Sequence, residues 1–176
     1  MAELELQIPT IQHKDNAEEF KREFLENHEN IINGSALLDQ MEYEQWLSNT
    51  EKNSRPETVR EDWVVATTYF VVRKDDNKII GMIDIRHSLN NVFLTKYGGH
   101  IGYAVRPSER KKGYATKMLT MALEYAKSIG LQKVMLGCYS NNIASIKTIT
   151  KCGGVLTESK PCADGTPINV YWVDLS

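Results

Sequence analysis

The chain has 176 residues, 41% hydrophobic and 25% charged, with a formal net charge of −2; this length supports a core of ordinary size, and the charge excludes a bulk nucleic-acid binder, which needs a basic face. The opening MAELELQIPTIQHKD lacks a basic stretch followed by an apolar run, and no segment approaches bilayer-spanning length, so neither a secretory signal nor a membrane partner is expected. Cys138, Cys152 and Cys162 are odd in number and lack C-x-x-C spacing, which argues against disulfides or a metal site and for reduced thiols in the cytoplasm.

Residues 2–8 alternate polar and apolar and predict a short strand. An apolar stripe through Ala17, Phe20, Phe24, Leu25, Ile31 and Ile32 predicts a helix over 15–33, closed by Gly34. A second helix is expected over 36–47, followed by the polar loop SNTEKNSRPET. The period then shortens. WVVATTYFVVR (63–73) and KIIGMIDIRH (78–87), separated by the turn Lys74–Asn77, read as a hairpin. Residues 89–96 give no clear signal, and 98–105 form a third, glycine-rich strand.

The strongest helical pattern runs over 108–129, with Ala115, Met118, Leu119, Ala122, Ala126 and Ile129 on one face and Gly130 as the stop. A strand at 133–138, a helix at 142–151 ended by Cys152-Gly-Gly154, and strands at 155–159 and 168–175 complete the chain. The order predicts an α/β (α+β) layer fold around a mixed, mostly antiparallel sheet, with residues 1–176 as one domain.

The segment VRPSERKKGYAT (105–116) carries the first chemical signal. Its cations Arg110, Lys111 and Lys112 fall in the expected first helical turn, where the helix dipole disfavours positive charge unless an anion lies between. Unpaired N–H groups at a helix start favour phosphate, and Gly113 lets the backbone approach it closely. A pyrophosphate cradle is one reading; a basic helix start on a solvated face is the other. The segment matches neither the P-loop nor the G-x-G-x-x-G dinucleotide pattern.

R-K-K-G-Y-A at 110–115 resembles the [QR]-x-x-G-x-[GA] signature of the GCN5-related N-acetyltransferases, the GNAT superfamily. Y-A-V-R-P at 103–107 and N-N-I-A-S-I-K-T-I-T-K-C-G-G at 141–154 are similar to that family's strand end and second motif. The resemblance covers residues 98–156 well, extends through the hairpin from 63, and is weak over 1–60; within the superfamily it points to a bacterial branch of predicted acetyltransferases. It implies acetyl-CoA as co-substrate and a central sheet splayed between the strands 101–105 and 133–138, with the pantetheine arm lying between them like an added strand. Gly102 and Gly137 would suit that gap. By position, Tyr103, Ala104 and Val105 would offer backbone groups to the pantetheine and thioester. Arg110, Lys111, Lys112, Gly113, Tyr114, Ala115 and Thr116 would wrap the pyrophosphate. Asn142 would lie near the pantetheine arm, a role compatible with a helix N-cap.

Many relatives place a tyrosine seven residues after the motif's asparagine as an acid for the departing thiolate. Here Ile149 takes that place, or Thr148 in the alternative register, so either the thiolate leaves unassisted or Tyr139, otherwise a packed aromatic, substitutes. His100, on the glycine-rich strand where relatives often carry a glutamate, is the candidate base. Asp84, Arg86 and His87 at the end of the preceding strand are candidate acceptor contacts, with Asp84 and Arg86 on one face and His87 on the other. The resulting expectation is an N-acetyltransferase acting by direct transfer to a small-molecule or peptide amine, with residues 1–60 forming part of the acceptor wall and a homodimer through the closing strands allowed. The acidic side chains Asp15, Glu18, Glu19, Glu23, Glu26 and Glu29 could attract a cationic amine or simply form a soluble face. An acetyl-CoA sensor without activity and a nucleotide binder of another fold are the competing readings.

Overall fold

The computed structural model describes residues 1–176. The β-branched runs form the expected hairpin, β1 being Leu4–Gln7, β2 Ala66–Arg73 and β3 Lys78–Arg86. With β4 (Ile101–Val105) they make an antiparallel sheet in the order β1-β2-β3-β4. A second antiparallel sheet has the order β5-β7-β6, from β5 (Lys133–Tyr139), β6 (Val155–Lys160) and β7 (Ile168–Asp174). The mostly antiparallel, splayed central sheet expected from the sequence is thus present as two antiparallel sheets. They meet at a Gly99–Leu136 bridge, beside which His100 N–H donates to Met135 O at 2.8 Å.

Alternation along the strands supplies two cores, because successive side chains leave a strand on opposite faces. One face of the first sheet buries Phe70, Val72, Ile79 and Met82 against helices α1 (Lys14–Glu26) and α2 (Tyr43–Asn53), whose Phe20, Phe24 and Trp46 are fully buried. The other face buries Val71, Ile80, Ile83 and Ile85 against α3 (Tyr114–Ser128) and the second sheet. Each large side chain so buried contributes about 1.5–3 kcal/mol.

Three helix boundaries differ from expectation, each for a local reason. α1 stops at Glu26, and His28 has a positive φ of 62°. The second helix starts at Tyr43 rather than 36, because Ala36 and Leu37 both lie in the left-handed region. It then runs through the expected polar loop, since Trp46, Thr50 and Asn53 recur at helical spacing and are buried. α3 begins at Tyr114, after a short 3-10 turn at Pro107–Glu109, so the basic residues precede the helix instead of forming its first turn.

The turn between β4 and α3 is pinned from both sides. Arg106, 1% exposed, donates to Ile79 O at 2.8 Å and to Glu19 and Glu23 of α1, each at 3.0 Å. Its guanidinium also lies 5.6 Å from the Phe20 ring centroid. Glu23 in turn accepts the Ser108 N–H at 2.6 Å. Arg106→Ala removes this buried hydrogen-bond network and its packing on Phe20, while Glu19 and Glu23 stay partly exposed, and should cost about 2–3 kcal/mol in urea denaturation.

Candidate active site

A cleft of about 790 Å³ opens between the two sheets and reaches from the α3 N-terminus to the α1–α2 loop. Its volume is within the usual range for small-molecule sites.

Its first wall is backbone. Arg86 N–H donates to His100 O and Arg106 N–H to Ile80 O, both at 2.7 Å. Bonded residues alternate in an antiparallel pair. Gly102 and Ala104 therefore turn their backbone groups to β3, while Ile101, Tyr103 and Val105 turn theirs away from it, toward β5. Val105 O accepts from Arg110 Nε at 3.1 Å. Of the three residues expected to offer backbone groups, Tyr103 and Val105 face the right way and Ala104 does not.

At one end of the cleft the chain turns through Arg110–Gly113. Lys111 and Gly113 both have positive φ, 62° and 83°, and Gly113 occupies the N-cap of α3. Left-handed residues in a turn bring successive N–H groups onto one side, forming an anion-binding concavity. The three cations have different partners. Arg110 forms a two-pronged pair with Glu29 of the α1–α2 loop, at 2.9 Å for each bond. Lys112 pairs with Glu109 and lies outside the cleft lining. Lys111 makes no ion pair and lines the cleft. Of the three side chains expected on the anion, Lys111 is thus the one left uncommitted. Tyr114 is buried and bonded to Arg73 at 3.2 Å, so the turn offers its backbone rather than its hydroxyl.

Beneath this turn lies Glu109, 3% exposed, accepting from Arg73, Lys78 and Lys112 at 3.0 Å each. Burial alone would raise its pKa; the hydrogen bonds from the three cations outweigh that and hold it at about 2.

The opposite wall comes from β5 and α4 (Ile143–Lys151). Asn142 caps α4, its Oδ1 accepting Ser145 N–H at 3.1 Å, and it also lines the cleft. Ile149 is 1% exposed and packed in the core, so the position of the relatives' acidic tyrosine is structural here. Sequence reasoning missed the side chain of Tyr103. It points to α4, with its hydroxyl 2.8 Å from Ser145 Oγ, and burial raises its pKa to about 12. Strand alternation could have found it: the residue whose backbone faces β5 sends its side chain to the α3–α4 layer. Tyr139 lines the cleft, 43% exposed; the Asp164 carboxylate is the main influence raising its pKa.

The structure does not bring the two candidate histidines to the cleft. His100 is 5% exposed, and its Nδ1 accepts Met135 N–H at 3.0 Å, which requires that nitrogen to be unprotonated. Burial, assisted by the Arg86 charge, lowers its pKa to about 4. His87 bonds Thr67 Oγ1 at 2.9 Å near Tyr125, on the α3 side of the sheet. Of the acceptor candidates, Arg86 lines the cleft, and Asp84 lies buried beneath it, taking its Nε–H at 3.0 Å.

The glycines expected to suit a pantetheine gap answer to the protein's own backbone. A Cβ at Gly137 would lie 1.8 Å from Tyr97 O of the π-helical turn Leu94–Gly98. Gly102 faces Gly34, where a Cβ would lie 2.3 Å from Gly102 O and 2.6 Å from Tyr103 N.

The acetyltransferase (GNAT) family model matches residues 36–154, more than half of the chain, and the chain belongs to that family. No curated protein matches it in sequence. Among solved structures, the microcin C7 self-immunity acetyltransferase MccE, in complex with acetyl-CoA and AMP, is 17% identical with a TM-score of 0.71, over 98% of this chain and 93% of that one. The yncA structure from Salmonella typhimurium with its cofactor acetyl-CoA is 15% identical, TM-score 0.68, over 98% and 94%. A spermidine N-acetyltransferase SpeG chimera from Vibrio cholerae and hSSAT is 13% identical, TM-score 0.67, over 97% and 95%. At these identities the likeness is one of fold. No helix is long and apolar enough to cross a membrane.

Glu109 supplies a pH test of the turn. Its folded pKa lies below the ordinary value of 4.5, so its stabilisation is present above that pH and lost as pH falls toward 2. Glu109→Gln should lower Tm at pH 7 by roughly 5 °C. The gap to the parent should close across that acidic window in thermal melts.

Proposed function

We propose that the chain is an N-acetyltransferase that moves the acetyl group of acetyl-CoA directly to a primary amine. One observation carries the reading: a single cleft joins outward-facing backbone groups on β4 to an anion-binding turn with a free lysine. The residues fit the co-substrate. Lys111 and the N–H groups around Gly113 would hold the diphosphate, and the edges of β4 and β5 would take the pantetheine amides as an inserted strand would. Tyr103 N–H would stabilise the carbonyl oxygen as charge develops there.

Acetyl-CoA supplies the acetyl group as a thioester; transfer forms a C–N bond as the C–S bond breaks, with one proton leaving nitrogen for water and one reaching sulfur from a hydroxyl donor. Tyr103 and Tyr139 both carry raised pKa values and remain O–H donors for the sulfur at neutral pH. Ser145, hydrogen-bonded to Tyr103, holds that hydroxyl in place. No base is free in the cleft lining. Glu29 is held by Arg110 and Glu109 by three cations, while both histidines are used elsewhere. The acceptor therefore reacts from its neutral form in solution. The N-terminal acids do not contradict this: Glu19 and Glu23 are committed to Arg106, and Glu29 to Arg110.

An acetyl-CoA sensor is the second reading, favoured by the buried Ile149 at the usual acid position. Release of free thiol across an amine panel separates the two.

Calorimetric titration should show acetyl-CoA binding, and Gly113→Glu should weaken it at least about tenfold by placing a negative side chain at the helix mouth. The melting curve should show that the variant still folds; an unchanged affinity, or no binding by the parent protein, would overturn the reading. With a working acceptor, kcat/KM should rise about tenfold per pH unit up to the amine's own pKa. A plateau beginning near pH 6–7 would instead reveal a protein base.

A further inference from the structure

We infer that the acceptor is an amino-acid-like molecule, with a carboxylate beside its amine and an apolar substituent, and that Arg86 receives the carboxylate. This rests on the acetyltransferase reading above and names its acceptor class.

The charged side chains lining the cleft are Glu29, Glu109, Arg110, Lys111 and Arg86. The first three are spent on one another and on the β2–β3 hairpin. Lys111 belongs to the anion-binding turn. At the other end, beside the α1–α2 loop, Arg86 is the charge available to an acceptor.

Its guanidinium is aimed rather than loose. Nε donates to Asp84 Oδ2 at 3.0 Å, and Thr68 Oγ1 donates to the other oxygen, Oδ1, at 2.9 Å. Nη1 reaches the Gly98 and Gly99 carbonyls at 3.4 Å. Nη2 makes no hydrogen bond within the protein. It lies over Gly102, 3.1 Å from where a Cβ would stand there. That places an open N–H donor one residue before Tyr103, whose amide faces the reacting carbonyl in the proposed function. An acceptor carboxylate on Nη2 would bring an adjacent amine to that carbonyl, within the short reach that transfer demands.

The same end of the cleft has an apolar rim. Phe93 and Ile31 are 62% and 69% exposed, and Tyr97 stands beside Phe93 with ring centroids 5.9 Å apart. These groups suit an apolar side chain. The absence of a free carboxylate in the lining argues against a polycation, which would meet Arg86 and Lys111 with nothing to offset its charge.

The test uses the full chain with saturating acetyl-CoA and follows free thiol. Leucine, methionine and phenylalanine are each compared with their amides and decarboxylated amines, with spermidine as the polycation. The amino acids should exceed their amides and amines in kcat/KM at least about tenfold, because an open guanidinium left unpaired penalises the analogue. Arg86→Gln should raise KM for the amino acids by about the same factor and level the series. Its calorimetric affinity for acetyl-CoA should remain unchanged. Arg86→Lys, which keeps a cation beside Asp84, should retain part of the preference and guards against misfolding of the glutamine variant. A preference for spermidine or amides, or equal losses for every acceptor in Arg86→Gln, would overturn the inference. So would acetyl-CoA binding without acetylation of any amino acid tested. Absence of acetyl-CoA binding by the parent protein would instead overturn the acetyltransferase reading.

Discussion

Two buried charges, three residues apart, hold the turn on which the site depends. The Arg106 guanidinium points back into α1 and the β3 carbonyl edge, and the Glu109 carboxylate points into the β2–β3 hairpin. A buried charge is tolerated when its hydrogen-bonding capacity is filled, and is costly when it is not. Here Arg106 is met by α1 and β3, and Glu109 by β2, β3 and its neighbour Lys112. The turn is thereby fixed to both the α1 layer and the first sheet before any ligand arrives. The left-handed residues Lys111 and Gly113 can then be held in a conformation that a free loop would leave.

The same economy governs the cleft walls. β4 spends alternate backbone groups on β3 and leaves the others facing a gap, because β5 is committed to β7 and meets the first sheet at one bridge. Backbone N–H and C=O groups need partners. A ligand with amides along its length, such as the pantetheine arm in the proposed function, would meet that need. Ion pairing removes candidate bases from the cleft: Glu29 and Glu109 serve structure, and His100 serves the junction between sheets. Arg86 is spared because Asp84 takes one edge of its guanidinium and leaves another open.

Much of this was legible in the sequence where local chemistry decides. The hairpin, its turn, α4 with its Gly153-Gly154 end and the closing strands follow from period and punctuation. The R-K-K-G-Y-A segment pointed to an anion site, and the chain there forms a turn with left-handed residues at Lys111 and Gly113. Its geometry was not legible, because Arg110 and Glu109 beside Lys111 are tied to Glu29, Arg73 and Lys78, which lie far away in sequence. The histidines misled for a related reason. A lone imidazole on a strand carries no sign of whether its ring meets the cleft or a backbone N–H. Gly34, read as a helix stop, serves instead for contact with Gly102, a pairing between segments that no local pattern announces. The helix from Tyr43 was obscured by its polar surface, although Trp46, Thr50 and Asn53 marked its inward face.

The Gly34–Gly102 contact has a mechanical consequence. Two main chains touch there without side chains between them, so the α1–α2 loop is packed directly on β4 at the point where acceptor and thioester would converge. Acceptor choice can therefore drift through the outer rim at Ile31 and Phe93 while the reaction centre keeps its shape. A side chain at Gly34 would collide with the β4 backbone, so the substitutions this contact tolerates lie at the lip of the cleft.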